Sequence, residues 1–259
     1  MTTEIQKRLL SIEREHDVKI LLAVESGSRA WGFESKNSDW DVRFIYVHQP
    51  EWYFTVDEQR DVIEQMCGDL DLVGWELRKA LRLLKRSNPS FLEWVNSPIV
   101  FHAVEPFLTR IRAIVPEFFN PIASMYHYNH MYTKHDGRYL QREDCTMRRF
   151  LYYLRGILAC KWIETRKTLP PVAFEELVEA MVDDVQMRVK IADLVRLKKD
   201  GEEYDIQMVD KDLMDYARSL ADYYNEHIGT FRPELHERPS KALDALLYEM
   251  VQTHKSPSN

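Results

Sequence analysis

Two apolar runs rich in β-branched residues, VKILLAVES at 18–26 and DVRFIYVHQP at 41–50, lie so close in the chain that they read as neighbouring strands of one sheet. The link between them, GSRAWGFESKNSDW, holds Gly27 and Gly32 and reads as a polar loop with no room for a helix. It delivers Ser38-Asp39-Trp40-Asp41 to the mouth of the second run, where an unpaired buried charge is costly. On a strand, residues i and i+2 share a face, so Asp39 and Asp41 are expected to present two carboxylates side by side. Two such anions repel unless a cation stands between them.

The remaining pattern sorts into a mixed first part and a helical second part. Residues 2–15 space Ile5, Leu9, Leu10 and Ile12 among charges, as a short amphipathic helix closed by His16-Asp17 would. A third strand, DLDLVGWEL at 69–77, runs into the helical pattern ELRKALRLLKRS, which stops at Asn88-Pro89. NPSFLEWVNSP reads as a short helix, and IVFHAV as a strand or an extended connection. After Pro116, helices are expected near 121–135, 144–167, 172–182, 185–199, 209–227 and 239–253. Pro170-Pro171, Lys199-Asp200-Gly201 and Arg232-Pro233 punctuate them. The expected fold class is α+β: a small mixed sheet with flanking helices over 1–115, and an all-α domain over 116–259 forming the opposite wall of a cleft.

With 45% hydrophobic residues in 259, either one large or two modest cores can form. A formal charge of −7, from 35 Lys+Arg against 42 Asp+Glu, argues against a surface given over to nucleic acid and leaves room for a local basic cleft. Cys67, Cys145 and Cys160 are odd in number and widely spaced, which fits neither a disulfide framework nor a CxxC pair. The N-terminus mixes charge into its apolar positions, unlike a signal peptide, and no run nears the roughly 20 apolar residues of a membrane helix. A soluble protein of the reducing cytoplasm, without a membrane partner, is expected.

Mg²⁺ favours a few carboxylates completed by phosphate oxygens, so an Asp-x-Asp pair suits one or two such ions together with a bound nucleotide. The nearby glycine turn offers close backbone approach and N–H groups to a triphosphate, with the Ser28 hydroxyl and the Arg29 guanidinium beside it. A third acid would come from the strand at 69–77, as Asp69 or Asp71. Asp71 is favoured because it alternates between Leu70 and Leu72, whereas Asp69 belongs to the preceding turn. A P-loop is excluded by the missing Gly-Lys-Ser/Thr, and a dinucleotide fold by the missing GxGxxG. Trp31 and Trp40 either stack on a base or pack beneath the loop. In the helical half, Lys134 follows the aromatic run YHYNHMYT, and Arg155 lies in an otherwise apolar helix, which makes both candidates for nucleotide contact.

Taken together, Gly27-Ser28, Ser38-Asp39-Trp40-Asp41 and Asp71 resemble the signature of the nucleotidyltransferases related to DNA polymerase β. Within that superfamily, GSRAWGFESKNSDWDVRFIYV, DLDLVGWELRKALRLLKRSNPSFLEWVNSPIVF and FLYYLRGILACKWIETRKTLPPVAFEEL are similar to the bacterial RNA-repair-pathway branch, the YcgL-type or RlaP family. The resemblance implies transfer of a nucleoside monophosphate from a nucleoside triphosphate such as ATP to an acceptor hydroxyl, with release of pyrophosphate. It implies two Mg²⁺ ions, replaceable by Mn²⁺, on Asp39 and Asp41, with Asp71 completing the second site and activating the hydroxyl. Gly27-Ser28 would hold the β- and γ-phosphates, and Ser38 belongs to the same nucleotide-binding motif. The acceptor stays open among an RNA 3′ end, a small molecule and a protein side chain. A rival class is a degenerate relative that binds nucleotide or RNA without turning it over.

Overall fold

The computed structural model describes residues 1–136, 146–201, 209–232 and 239–254, without the side chains of 132–136. The chain forms α1 (Thr2–His16), β1 (Val18–Glu25), α2 (Gly27–Trp31), β2 (Trp40–His48), β3 (Val62–Cys67), β4 (Leu70–Glu76), α3 (Leu77–Lys85), α4 (Pro89–Val95), β5 (Val100–Ala103) and α5 (Glu105–Phe118). Helices α6 (Pro121–Asp136), α7 (Met147–Arg166), α8 (Phe174–Met181), α9 (Val185–Lys199), α10 (Lys211–His227) and α11 (Lys241–Thr253) follow. This is the expected α+β class with a helical C-terminal region. Among the described residues, no helix is long and apolar enough to cross a membrane.

Three local expectations change. The link after β1 is not all loop, because Gly27 at φ +61° turns the chain directly into the single-turn helix α2. Strand β3 was not foreseen; it pairs with β4 through a tight turn at Gly68-Asp69, with Cys67 opposite Leu70. Helix α5 was not foreseen either, and it carries Pro116 in its last turn.

The described chain divides into two compact units. The first comprises Met1–Ala30, Asp39–Phe118 and His236–Asn259, and the second Trp31–Ser38 and Phe119–Leu235.

In the first unit the strand order is β3-β4-β2-β1-β5, with β2 and β4 parallel and the other neighbours antiparallel. A parallel pair needs a long crossover, and the segment from His48 to Leu70, which includes β3, supplies it. Ile5, Leu9 and Ile12 of α1 form a stripe that buries against Ile20, Val42, Phe44, Tyr46, Leu70 and Leu72, all from one face of the sheet. Alternation then turns Asp41 and Arg43 of β2, and Asp71, Val73 and Trp75 of β4, to the opposite face. Helix α3 follows β4 without a loop because the Glu76 side chain caps it, accepting from the Arg78 and Lys79 N–H groups at 2.7 and 3.3 Å.

The second unit is built around α7, whose Phe150, Leu151, Leu154, Ile157, Leu158 and Ile163 are fully buried among residues of α6, α8, α9 and α10. Phe33 joins this core from the segment 31–38, and the Lys198 ammonium donates to its carbonyl oxygen at 2.6 Å.

Candidate active site

The site grows from the register between two parallel strands. Ser26 N–H donates to the Asp41 carbonyl and Trp40 N–H to the Asp69 carbonyl, at 2.9 and 2.8 Å, tying the start of β2 to both neighbours. Asp41 is thereby set directly opposite Asp71. Both carboxylates are 28% exposed, and the Arg43 guanidinium lies between them. Its Nη2 donates to Asp41 Oδ1 at 2.9 Å and to Asp71 Oδ2 at 2.8 Å, while Nη1 donates to the Asp71 and Val42 carbonyls at 2.9 and 3.2 Å.

Two further features crowd Asp41. A β-carbon on residue 27 would stand 2.3 Å from Asp41 Oδ2, so only glycine lets the turn approach this closely, and its φ of +61° makes the same demand. On the other side, Glu25 is fully buried at the end of β1 and its Oε1 accepts the Asp41 N–H at 3.0 Å. Burial pushes the Glu25 carboxyl up to about 7; the Asp41 N–H opposes that rise and the Asp41 charge adds to it.

The other expected site residues are distributed as follows. Asp39 precedes β2, so the carboxylate in register with Asp41 is Asp71 across the ladder. The carbonyl of Asp39 accepts from Arg29 Nε at 3.1 Å, and the Arg29 guanidinium lies 4.0 Å over the Trp40 ring. Ser28 is buried. Ser38, counted with the second unit, has its hydroxyl accepting the Ser35 N–H at 2.9 Å. Arg155 is buried in that unit, its guanidinium 4.4 Å over Trp31 and its Nη2 donating to the Val172 carbonyl at 3.3 Å. Lys134 has a side chain outside the described residues. Trp31 packs edge-on against Tyr152 at 4.8 Å, and Trp40 tilts against Phe101 at 6.3 Å.

Sequence reasoning missed Arg43 and Glu25. The two-residue period of Asp39 and Asp41 reaches Arg43 one step further along β2. Glu25 was visible as an acid closing an apolar run one residue before Ser26-Gly27.

Among the described residues, no group of three or more His, Cys, Asp or Glu side chains is arranged to hold a metal ion. The pair Asp41–Asp71 nonetheless has the donor chemistry of a Mg²⁺ site, which commonly uses one or two carboxylates and takes its other oxygens from substrate phosphates and water. A cationic guanidinium already stands between the two acids, which shows that the position suits positive charge.

A mixed sheet with registered acids on parallel neighbours, one of them against a Gly-Ser turn, is the kind of core expected of a polymerase-β-like nucleotidyltransferase. The chain belongs to the RNA repair pathway DNA polymerase beta family, RlaP, which it matches over residues 1–249. It is 46% identical over 208 residues to the uncharacterized protein YcgL of Bacillus subtilis (strain 168), covering 80% of each chain. A nucleotidyltransferase-like protein from Exiguobacterium sibiricum aligns with 96% of this chain and 78% of its own at 14% identity, but a TM-score of 0.31 is too low for the likeness to carry an argument.

Proposed function

We propose that the chain transfers a nucleoside monophosphate from a nucleoside triphosphate to an acceptor hydroxyl, releasing pyrophosphate, and that the acceptor is an RNA 3′ end. The observation that carries this reading is the registered Asp41–Asp71 pair with Gly27 closed against it, in a chain of the polymerase beta family. The RNA acceptor is supported by the pathway in the family's description.

In this reading the acceptor oxygen bonds to the α-phosphorus as the bond from that phosphorus to the pyrophosphate oxygen breaks. Asp41 and Asp71, with Asp39 at the entry to β2, would hold Mg²⁺ or Mn²⁺, which when bound supplies charge neutralisation at the phosphates and a lowered hydroxyl pKa. Asp71 takes the proton of the incoming hydroxyl. Gly27 lets the turn close against Asp41, and the Ser28 and Arg29 segment that follows borders the β- and γ-phosphates. Glu25 fixes the Asp41 backbone, so the carboxylate keeps its aim while the charge around it changes. Much of the rate gain would come from these groups being held in place before charge develops.

The test incubates the full chain with α-labelled nucleoside triphosphates, Mg²⁺ and pooled RNA. Label should reach RNA 3′ ends and pyrophosphate should be released. Asp71→Asn and Asp39→Ala should lower transfer by roughly 100-fold or more, a loss of several kcal/mol of charge stabilisation, while nucleotide binding changes little. Nucleotide binding with no transfer to any acceptor, under Mg²⁺ or Mn²⁺, would leave a binding protein rather than an enzyme.

A further inference from the structure

We propose that Arg43 is a built-in counter-ion that competes with a divalent cation for Asp41 and Asp71, so that the guanidinium bridge and metal binding exclude each other. The inference rests on the reading above that these two acids hold metal.

The geometry is specific. One nitrogen, Nη2, donates to a carboxylate oxygen of each acid, at 2.9 and 2.8 Å, so it uses the space between them. The other arm, Nη1, is anchored on two backbone carbonyls, Asp71 O and Val42 O, which belong to the sheet and do not swing aside. The Arg43 side chain is only 17% exposed, so water screens it little. Because Arg43 stands two residues after Asp41 on β2, it shares that residue's face, and the parallel register with β4 brings Asp71 within the same reach.

The chemistry makes this arrangement competitive. A guanidinium keeps its proton at any physiological pH, so it cannot relieve repulsion from an arriving cation by becoming neutral. A divalent ion at the two carboxylates would therefore have to turn Nη2 out of the bridge, or bind against a fixed positive charge a few ångström away. The same bridge offsets the repulsion between the two neighbouring carboxylates. Arg43 thus steadies the two acids and weakens their hold on metal, and by reciprocity metal should loosen the bridge by the same factor.

Mn²⁺ titration of the full-length protein, followed by the electron paramagnetic resonance signal of the free ion, tests this. Arg43→Gln, which keeps a polar side chain and removes the charge, should bind Mn²⁺ about 10-fold more tightly than the parent, and Arg43→Lys should shift affinity the same way by a smaller factor. With chelator present, Arg43→Gln should melt below the parent, and saturating Mn²⁺ should raise its melting temperature by more than it raises the parent's. A merely structural arginine would lower stability on removal without tightening metal. If Arg43→Gln does not fold, the direction of the Arg43→Lys shift decides. Unchanged or weaker Mn²⁺ binding in the folded variants, with binding lost in Asp41→Asn, overturns the competition and leaves the metal reading standing. Parental Mn²⁺ affinity in both Asp41→Asn and Asp71→Asn overturns the metal reading itself, and the competition with it.

Discussion

Residue 27 is constrained twice, by its left-handed backbone and by the Asp41 carboxylate where a side chain would begin. Gly27→Ala should therefore cost roughly 1–3 kcal/mol from strain and crowding together. Its distinctive mark should be a weakened Mn²⁺ site, because the cheapest relief is to turn Asp41 away from Asp71; calorimetric melting and metal titration of one sample read both effects. Glu25 gives a pH prediction with a definite sign. Its carboxyl holds a proton to about 7 in the fold, against an ordinary value near 4.5, so it favours the folded state below pH 4.5 and loses that contribution as pH rises through 7. Glu25→Gln should accordingly be more stable than the parent at pH 8, by on the order of 3 kcal/mol, with the gap closing towards pH 5. Chemical denaturation at the two pH values checks it.

Among the elements, β4 shows how much local pattern could reveal. Its alternation, with Leu70 and Leu72 buried and Asp71 and Val73 on the other face, was legible, and so was the Leu77, Ala80, Leu81 and Leu84 stripe of α3. The need for Gly74 was not, since it arises across the sheet: a β-carbon there would lie 2.1 Å from the ring of Phe44, its register partner on β2. Gly74→Ala should push that ring into the core beneath α1 and lower stability by about 1–3 kcal/mol, seen as a reduced denaturation midpoint. Strand β3 escaped notice because it has a sheet neighbour on one side only. Ile63 is its single buried residue, with Glu64 and Met66 exposed, so a period of two is hardly written in it. Its signal was the Gly68-Asp69 turn, a two-residue hairpin connection. Helix α2 escaped for a different reason: at five residues it is too short to show a helical period.

Across the whole molecule, the units are not two successive runs of chain. Segment 31–38 is counted with the second, and α11, far along the sequence, with the first. Leu243, Leu246, Met250 and Val251 of α11 are buried, and the helix packs against α3, α5 and β2. Leu246→Ala should cost about 2–5 kcal/mol and speed amide hydrogen exchange in α3 and α5 while leaving α7 at its parental rate.

Several things were decided by sequence alone: the strands on either side of the 27–39 link, the alternation that turns Asp71 away from Leu70 and Leu72, and the run of helices after Pro116. Each follows from a period of two or of 3.6 residues and from turn chemistry, which are local. Only the tertiary structure set Asp71 opposite Asp41, brought Arg43 between them, buried Glu25 behind them and returned α11 to the first unit. Those placements depend on which strands pair and in what register. That is settled by burying α1, α3 and α11 against one sheet, which no short stretch of residues encodes.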